Sequence, residues 1–183
     1  MDYQEKTVLL KNGKTCLLRR SEESDAEMLI EHLKVTSSET RNFAREPEEI
    51  VMTVEEEREY IRHMREAPRA LHLLAEVDGV FAGSCSFVAQ RDRIRTRHRC
   101  LVGISLFQKF WGMGIGTALL DEILRYAKIA GYEQAELEVV SANAPAIGLY
   151  KKLGFETTGT IPQALKYKDG TYADFLFMVK PLL

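Results

Sequence analysis

Apolar residues recur with the period of an α-helix in two early segments of the chain. The pairs Ser24–Glu27 and Thr53–Glu56 each have the spacing of a capping box, which marks the start of a helix. The second helix is expected to continue through Ile61 and Met64 until Pro68 stops it. The first helix is expected to bury a face made of Ala26, Leu29, Ile30 and Leu33.

Short apolar runs bounded by turn residues predict several β-strands. The opening strand is expected at residues 15–19, after the turn Asn12–Gly13. LHLLAEV and VFAGSCSFVA flank Asp78–Gly79, and because this pair supplies the positive φ angles of a type I′ turn, the two runs predict a tight hairpin. CLVGISLF and AELEVV predict two further strands, and Asp169–Gly170 is expected to join the last two.

Two more helices are predicted in the second half of the chain. The segment after CLVGISLF predicts a helix that runs to Ala130 and is ended by Gly131. NAPAIGLYKKL predicts a short helix with Asn143 as its N-cap and Gly154 behind it. The order of these elements predicts a mixed α/β sheet with helices on its faces, in one domain spanning residues 1–183.

The composition is that of an ordinary soluble globular chain. Its 183 residues are 45% hydrophobic and carry a formal net charge of −2, which does not suggest general nucleic-acid binding. Cys16, Cys85 and Cys100 lie far apart in strand-like runs, so buried free thiols are expected rather than a disulfide framework or a zinc site. We find no signal-peptide pattern and no apolar run of membrane-spanning length, and expect a cytoplasmic location.

Three glycines alternate in FQKFWGMGIGTALL, at Gly112, Gly114 and Gly116. The third glycine of a Rossmann fingerprint would fall on Thr117, and no lysine follows Gly116 as a P-loop requires, so both nucleotide motifs fail. Two interpretations remain. The glycines permit a tight strand-to-helix turn, or the backbone amides of the loop converge on an anion at the positive end of the helix that follows.

The same loop resembles the acetyl-CoA pyrophosphate loop of the GNAT superfamily of N-acetyltransferases, whose pattern is Arg/Gln-x-x-Gly-x-Gly/Ala. Gly114 and Gly116 match its glycines, and Trp111 stands where the pattern has arginine or glutamine. The run from Asn143 to Phe155 also resembles the family's downstream segment Asn-x-x-Ala-x-x-Leu-Tyr-x-x-x-Gly-Phe. The resemblance implies a GNAT-like fold, with a mostly antiparallel central sheet flanked by helices, and an acetyl-CoA-dependent N-acetyltransferase.

The resemblance also implies where the cofactor and the chemistry lie. The strand CLVGISLF would pair its backbone with the pantetheine arm, and an amide near Leu106 would polarise the thioester carbonyl. Asn143 would contact the cofactor where two central strands splay apart. The implied cofactor-binding residues are Leu106, Phe107, Gly112, Met113, Gly114, Ile115, Gly116, Thr117, Asn143 and Tyr150.

Transfer to an amine needs a proton for the leaving thiolate and an acceptor for the proton of the amine. Tyr150 matches the family's tyrosine and is the candidate general acid, although a packing role in its short helix is the alternative. Glu138 is the candidate base, because its distance from Tyr150 is similar to that of the Glu–Tyr pair in ribosomal-protein alanine N-acetyltransferases of this superfamily. A solvated glutamate, with proton transfer through water and backbone, is its alternative.

Arginines alternate with other residues in RDRIRTRHR, residues 91–99. On an extended hairpin they would line one face, with Asp92 and His98 on the other. This face could bind an acidic acceptor or the 3′-phosphate of the cofactor, or it could be a solvated extension of a strand, perhaps at a dimer edge.

The best interpretation is an enzyme in which an amine attacks acetyl-CoA directly in a ternary complex, since neither motif contains a nucleophilic cysteine. A CoA-binding regulatory module without catalysis is the alternative. The sequence predicts no metal site and leaves the amine acceptor open. Contacts to the acceptor are expected from the loop after Ser37 and from the last hairpin, and a homodimer is a further possibility.

Overall fold

The computed structural model describes residues 2–91 and 93–183, and this part of the chain contains eight strands and four α-helices. The strands are β1 (Lys6–Leu9), β2 (Thr15–Arg20), β3 (Leu71–Val77), β4 (Val80–Ala89), β5 (Arg99–Leu106), β6 (Gln134–Val140), β7 (Glu156–Lys166) and β8 (Tyr172–Pro181). The helices are α1 (Ala26–Glu39), α2 (Val54–Glu66), α3 (Ile115–Ile129) and α4 (Ala144–Lys152).

All of these strands form a single sheet in the order β1-β2-β3-β4-β5-β6-β8-β7. Each neighbouring pair is antiparallel except β5 and β6, which run parallel. The predicted mixed, mostly antiparallel sheet flanked by helices is therefore confirmed. The helix α3 between β5 and β6 supplies the crossover that a parallel pair requires.

The two faces of the sheet carry different helices. On the α3 face, helix α3 packs Leu119 and Ile123 into a large core that includes Leu73 and Cys85 of the sheet. On the opposite face, which we call the α1/α2 face, Leu29 and Ile61 pack on Leu74 in a much smaller cluster. Because side chains alternate along a strand, Leu73 and Leu74 point to opposite faces.

Most of the predicted boundaries agree with the structure. Asp78 and Gly79 have φ angles of 51° and 78°, as the predicted hairpin turn requires. The Thr53–Glu56 capping box is present, and Ile61 and Met64 are buried behind it. Gly131, with a φ of 79°, follows the end of α3 as predicted.

Two predictions about the N-terminal part were wrong. The Ser24–Glu27 pair does not cap the first helix, because Glu22 and Asp25 form the capping box one turn earlier, on a short 3-10 helix. Arg19 binds the Asp25 carboxylate with both terminal nitrogens, at 2.7 and 2.8 Å, which fixes Asp25 in this place. The strand β1 was not predicted, since its four residues alternate too briefly to give a signal.

The three cysteines are buried free thiols, as predicted. Burial raises the pKa of the Cys16 thiol to about 11 and that of Cys100 to about 12. Within the residues that the structure describes, no helix is both long and apolar enough to cross a bilayer.

Candidate active site

The central feature of the site is an opening between β5 and β6. Over the described residues these strands pair only at Arg99–Gln134, Cys100–Ala135 and Leu101–Glu136, although β5 continues to Leu106 and β6 to Val140. Their C-terminal halves therefore diverge. Backbone groups that a continuous sheet would satisfy are left facing the gap, where an extended ligand can pair with them.

The backbone of Leu106 faces this opening. The Phe107 N–H donates to the Ala82 carbonyl on β4 at 3.0 Å. Because N–H groups alternate in direction along a strand, the N–H and C=O of Leu106 point away from β4, toward the gap. The indole N–H of Trp111 donates to this Leu106 carbonyl at 3.0 Å, so Trp111 braces the backbone here and leaves the Leu106 N–H unused by the indole.

The glycine loop lies between the end of β5 and the start of α3. Gly112 and Gly114 have φ angles of 77° and 93°, a region that glycine enters without strain. At Gly116 an added Cβ would lie 3.0 Å from the Leu149 Cδ2 atom of α4. The loop therefore has the space and exposed amides of an anion cradle at a helix N-terminus, and it fits a pyrophosphate without needing a side-chain cation.

Helix α4 begins at the end of β6, on the other side of the gap. Asn143 caps it, with the side-chain oxygen accepting from the Ala146 N–H at 3.3 Å. The Tyr150 ring is buried and packs edge-on against Phe155, with ring centroids 5.8 Å apart. Burial, with a smaller effect of Cys85, raises the pKa of the Tyr150 phenol well above its ordinary value, so the phenol is fully protonated at neutral pH.

Glu138 and Tyr150 do not share a face of the sheet. Glu138 is exposed on β6 and points to the same side as Glu136, two residues earlier. Glu136 is fully buried and binds the Arg99 guanidinium, with Nη2 and Oε2 2.7 Å apart, on the α1/α2 face. Tyr150 belongs to the core of the α3 face. The two candidates therefore flank the opening from opposite sides.

A shallow cavity of about 260 Å³ lies beside the glycine loop. It runs along the outer side of α3, next to Gly114 and Thr117, and its walls include Lys11 of the β1–β2 turn and Lys152 of α4. No motif of the sequence indicated these lysines, because they come together only through the fold.

The α1/α2 face carries buried polar groups that the sequence patterns did not indicate. His32 of α1 is fully buried, and its Nε2 lies 2.7 Å from the Ser105 Oγ of β5. His72 of β3 is buried nearby, and burial lowers the pKa of each imidazole to about 4. Glu57 of α2 is also buried, which raises the pKa of its carboxyl to about 7.

The two segments expected to bind an acceptor contact each other. Arg41, in the loop after α1, donates to Asp169 at 3.0 Å and stacks on the Tyr167 ring 3.8 Å from its centroid. The Tyr167 hydroxyl donates to the Arg41 carbonyl at 3.0 Å, and Lys168 pairs with Glu48 at 3.1 Å. The α1–α2 loop and the β7–β8 turn thus form a polar strap.

The predicted extended hairpin of arginines was wrong. Residues 93–98 form turns, with the Arg97 N–H donating to the Arg93 carbonyl at 2.8 Å, so the arginines do not line one face. Arg99 instead pairs with buried Glu136, and Asp92 lies outside the described residues. The turn precedes β5 and the glycine loop follows it, so about 23 Å of strand separates the two.

Comparison with known proteins agrees with this geometry. The family model described as acetyltransferase (GNAT) family matches residues 33–155, which include the glycine loop and α4. An N-alpha-acetyltransferase of Sulfurisphaera tokodaii is 33% identical over 132 residues, which cover 67% of this chain and 75% of that protein. An L-amino acid N-acetyltransferase of Escherichia coli is 32% identical over 120 residues, covering 64% of this chain and 72% of that protein.

The fold also matches a solved structure. The crystal structure of an acetyltransferase of the GNAT family from Streptococcus pneumoniae superposes with a TM-score of 0.86 at 29% sequence identity, covering 91% of this chain and 99% of that one. The similarity therefore extends beyond the matched motifs to nearly the whole sheet.

Proposed function

The chain belongs to the GNAT family of acetyltransferases and is an N-acetyltransferase that uses acetyl-CoA, and from that premise we propose how its own residues carry out the transfer. The observation that carries the proposal is the opening between β5 and β6, with the glycine cradle at one side and Tyr150 at the other. Acetyl-CoA supplies the activated acetyl group as a thioester.

The glycine loop and the end of β5 hold the cofactor. The amides of Gly112, Met113, Gly114, Ile115, Gly116 and Thr117 bind the pyrophosphate, and the α3 dipole adds to their attraction. Leu106 and Phe107 line the pantetheine arm, with the Leu106 N–H directed at the thioester carbonyl and stabilising the oxyanion that forms there. Asn143 closes the opposite side of the gap, where the oxygen that caps α4 also fixes the turn against the cofactor.

Tyr150 acts as the general acid. Its raised pKa keeps the phenol protonated, and since a thiolate of pKa about 8.5 leaves during the reaction, the phenol can donate its proton as the C–S bond breaks. The amine attacks directly in a ternary complex. Glu138, exposed at the opening, accepts the proton of the amine either directly or through a water molecule, and a relay without a dedicated base is the alternative.

We further propose that the acceptor is an α-amino group, either of a free amino acid or of a peptide N-terminus. The relatives described above are named for those two kinds of acceptor. The strap formed by Arg41, Tyr167 and Asp169 borders the acceptor side with charged and hydrogen-bonding groups, which suit the polar surroundings of an α-amine.

Release of free thiol from acetyl-CoA, measured with a panel of L-amino acids and short peptides with free N-termini, tests the proposal. We expect turnover that depends on the acceptor, and a mass increase of one acetyl group on its α-nitrogen. Tight binding of acetyl-CoA without turnover of any amine would instead identify a binding module.

Replacing Glu138 with glutamine tests the proposed base separately. We expect the Glu138→Gln variant to lose about tenfold or more in kcat while its affinity for acetyl-CoA is retained. A rate that equals that of the unmodified enzyme across the pH range would favour the relay without a dedicated base.

Three coarser properties complete the proposal. A single domain is supported by the sheet that joins β1 to β7, and a cytoplasmic location by the three buried reduced thiols. A homodimer is supported by β7, an edge strand whose first eight residues are exposed, since such an edge readily pairs with another chain. Light scattering after gel filtration would test the dimer.

A further inference from the structure

Small residues form an open floor on the α1/α2 face, next to the end of β5. Ser105 lies opposite Ser84, and Gly103 lies opposite Ser86, on the paired strand β4. Gly103 is exposed, and a Cβ added there would meet nothing closer than the Ser86 Oγ at 4.0 Å. An incoming molecule can therefore reach the backbone of β5 from this face.

The other face does not offer such an approach. Around Gly116, the side chains of Leu149, Ile104 and Leu106 fill the space on the α3 face. Since the Leu106 N–H is the proposed donor to the thioester carbonyl, an amine that attacks this carbonyl arrives from the α1/α2 face. The first side chain beside Leu106 on that face is the half-buried Ser105.

The Ser105 hydroxyl is held by His32. The imidazole is fully buried, lies edge-on to Phe107 and Phe81 with centroids 4.6 and 5.0 Å away, and brings Nε2 to 2.7 Å from the Ser105 Oγ. Its other nitrogen, Nδ1, is buried without a hydrogen-bond partner among the described residues. Burial keeps the ring neutral, with a pKa of about 4.

This unpartnered nitrogen decides which tautomer is present. A buried N–H donor without an acceptor is rarer and costlier than a buried lone pair without a donor. The hydrogen of the neutral ring is therefore on Nε2, and His32 donates to Ser105. The Ser105 oxygen keeps a lone pair that can accept a hydrogen bond from the open side.

We propose that Ser105 is the residue that orients the attacking amine, and that His32 is the positioning residue that holds the Ser105 hydroxyl in place. The inference rests on the proposed function. An amine that attacks must aim its lone pair at the carbonyl carbon, so its N–H groups need an acceptor on the far side. The Ser105 oxygen supplies that acceptor, and it selects the neutral form of the amine without removing a proton itself.

The test compares Ser105→Ala with two variants of His32. His32→Gln keeps an N–H donor near the position of Nε2, whereas His32→Leu fills similar space without a donor. The probes are L-methionine and a six-residue peptide with a free α-amino group, and the acceptor that is turned over faster is used. Ser38→Ala is the matched control, because it removes a hydroxyl that bonds only within α1, to the Val35 carbonyl.

For Ser105→Ala and His32→Leu we expect about tenfold lower kcat/KM for the acceptor, with an unchanged Kd for acetyl-CoA. His32→Gln should recover most of the activity, and the double variant should be no worse than either single one, because both remove the same contact. Ser38→Ala should equal the unmodified enzyme. Thermal melting confirms that each variant is folded.

Three results would overturn the inference: full activity in Ser105→Ala, equal activity of the two His32 variants, or losses that multiply in the double variant. These results differ from failure of the proposed function, because in that case the unmodified protein itself acetylates neither probe.

Discussion

The two faces of the sheet solve different problems with different residues. The α3 face buries a large apolar core and presents the glycine loop, where backbone amides perform the binding. The α1/α2 face has a small apolar cluster, and buried histidines and a buried carboxyl lie around it. Backbone binding requires small residues at fixed spacing, which a sequence displays, whereas polar side chains gathered from several elements leave no local pattern.

The strongest way to break this comparison is to remove the one polar group that the α3 face contributes to the chemistry. We expect Tyr150→Phe to lower kcat by about 10²–10⁴-fold, because the leaving thiolate loses its proton donor. The Kd for acetyl-CoA should change little, since the ring still packs on Phe155. Steady-state kinetics and calorimetry measure the two quantities, and a kcat near that of the unmodified enzyme would leave Tyr150 as a packing residue.

The second test concerns binding by the backbone. Gly116→Val places methyl groups against Leu149 and into the cradle, so we expect the Kd for acetyl-CoA to rise at least about 100-fold, or about 2.7 kcal/mol. Gly159→Val is the control, because an added Cβ there meets no atom within 4 Å and valine suits a strand. Equal binding by both variants would contradict the cradle.

The third test uses the titratable groups of the α1/α2 face. His32 and His72 have pKa values of about 4 in the folded chain and about 6.5 when unfolded, so the unfolded state binds more protons between these pH values and stability rises with pH there. Glu57, with a folded pKa of about 7, acts in the opposite direction between about pH 4.5 and 7.

Because two histidines outweigh one glutamate, we expect the free energy of unfolding to fall by on the order of 2–4 kcal/mol from pH 6.5 to pH 4. Urea titrations at several pH values measure this change. Glu57→Gln should steepen the dependence and His72→Gln should flatten it. A profile that is flat over this range, or that rises toward acid pH, would contradict the burial of these rings.

The smallest expected effect is at Trp111, where the side chain supports the backbone of the α3 face. The chain contains one tryptophan, so its fluorescence reports on this loop alone, and we expect the emission to change on addition of acetyl-CoA. Trp111→Phe removes the N–H that bonds to Leu106 and should weaken binding by no more than about tenfold. A larger loss would show that the indole contacts the cofactor itself.

These differences explain how much the sequence could predict. The hairpin at Asp78–Gly79, the end of α3 at Gly131 and the cap at Asn143 each depend on residues that are neighbours in the chain, and all three were predicted correctly. The arginine run was misjudged, because a hydrogen-bonded turn and an ion pair with distant Glu136 outweigh its alternating pattern.

The candidate site divides in the same way. The glycine loop and α4 are continuous segments with recognisable spacing, and the structure places them on either side of one opening. The contact between His32 and Ser105 joins residues 73 positions apart, and the wall formed by Lys11 and Lys152 joins a turn to a helix. Such contacts depend on tertiary packing, which no single-sequence period encodes.

The short pairing between β5 and β6 has a mechanical consequence. In the plane of the sheet, and within the described residues, three residue pairs and the ion pair between Arg99 and Glu136 join the strands β1–β5 to the strands β6–β8. This seam is the weakest line across the sheet, and a cofactor that binds the open ends of both strands lengthens it like a stitch. Substrate binding in this protein therefore also completes the sheet, and amide hydrogen exchange should slow on both sides of the seam together.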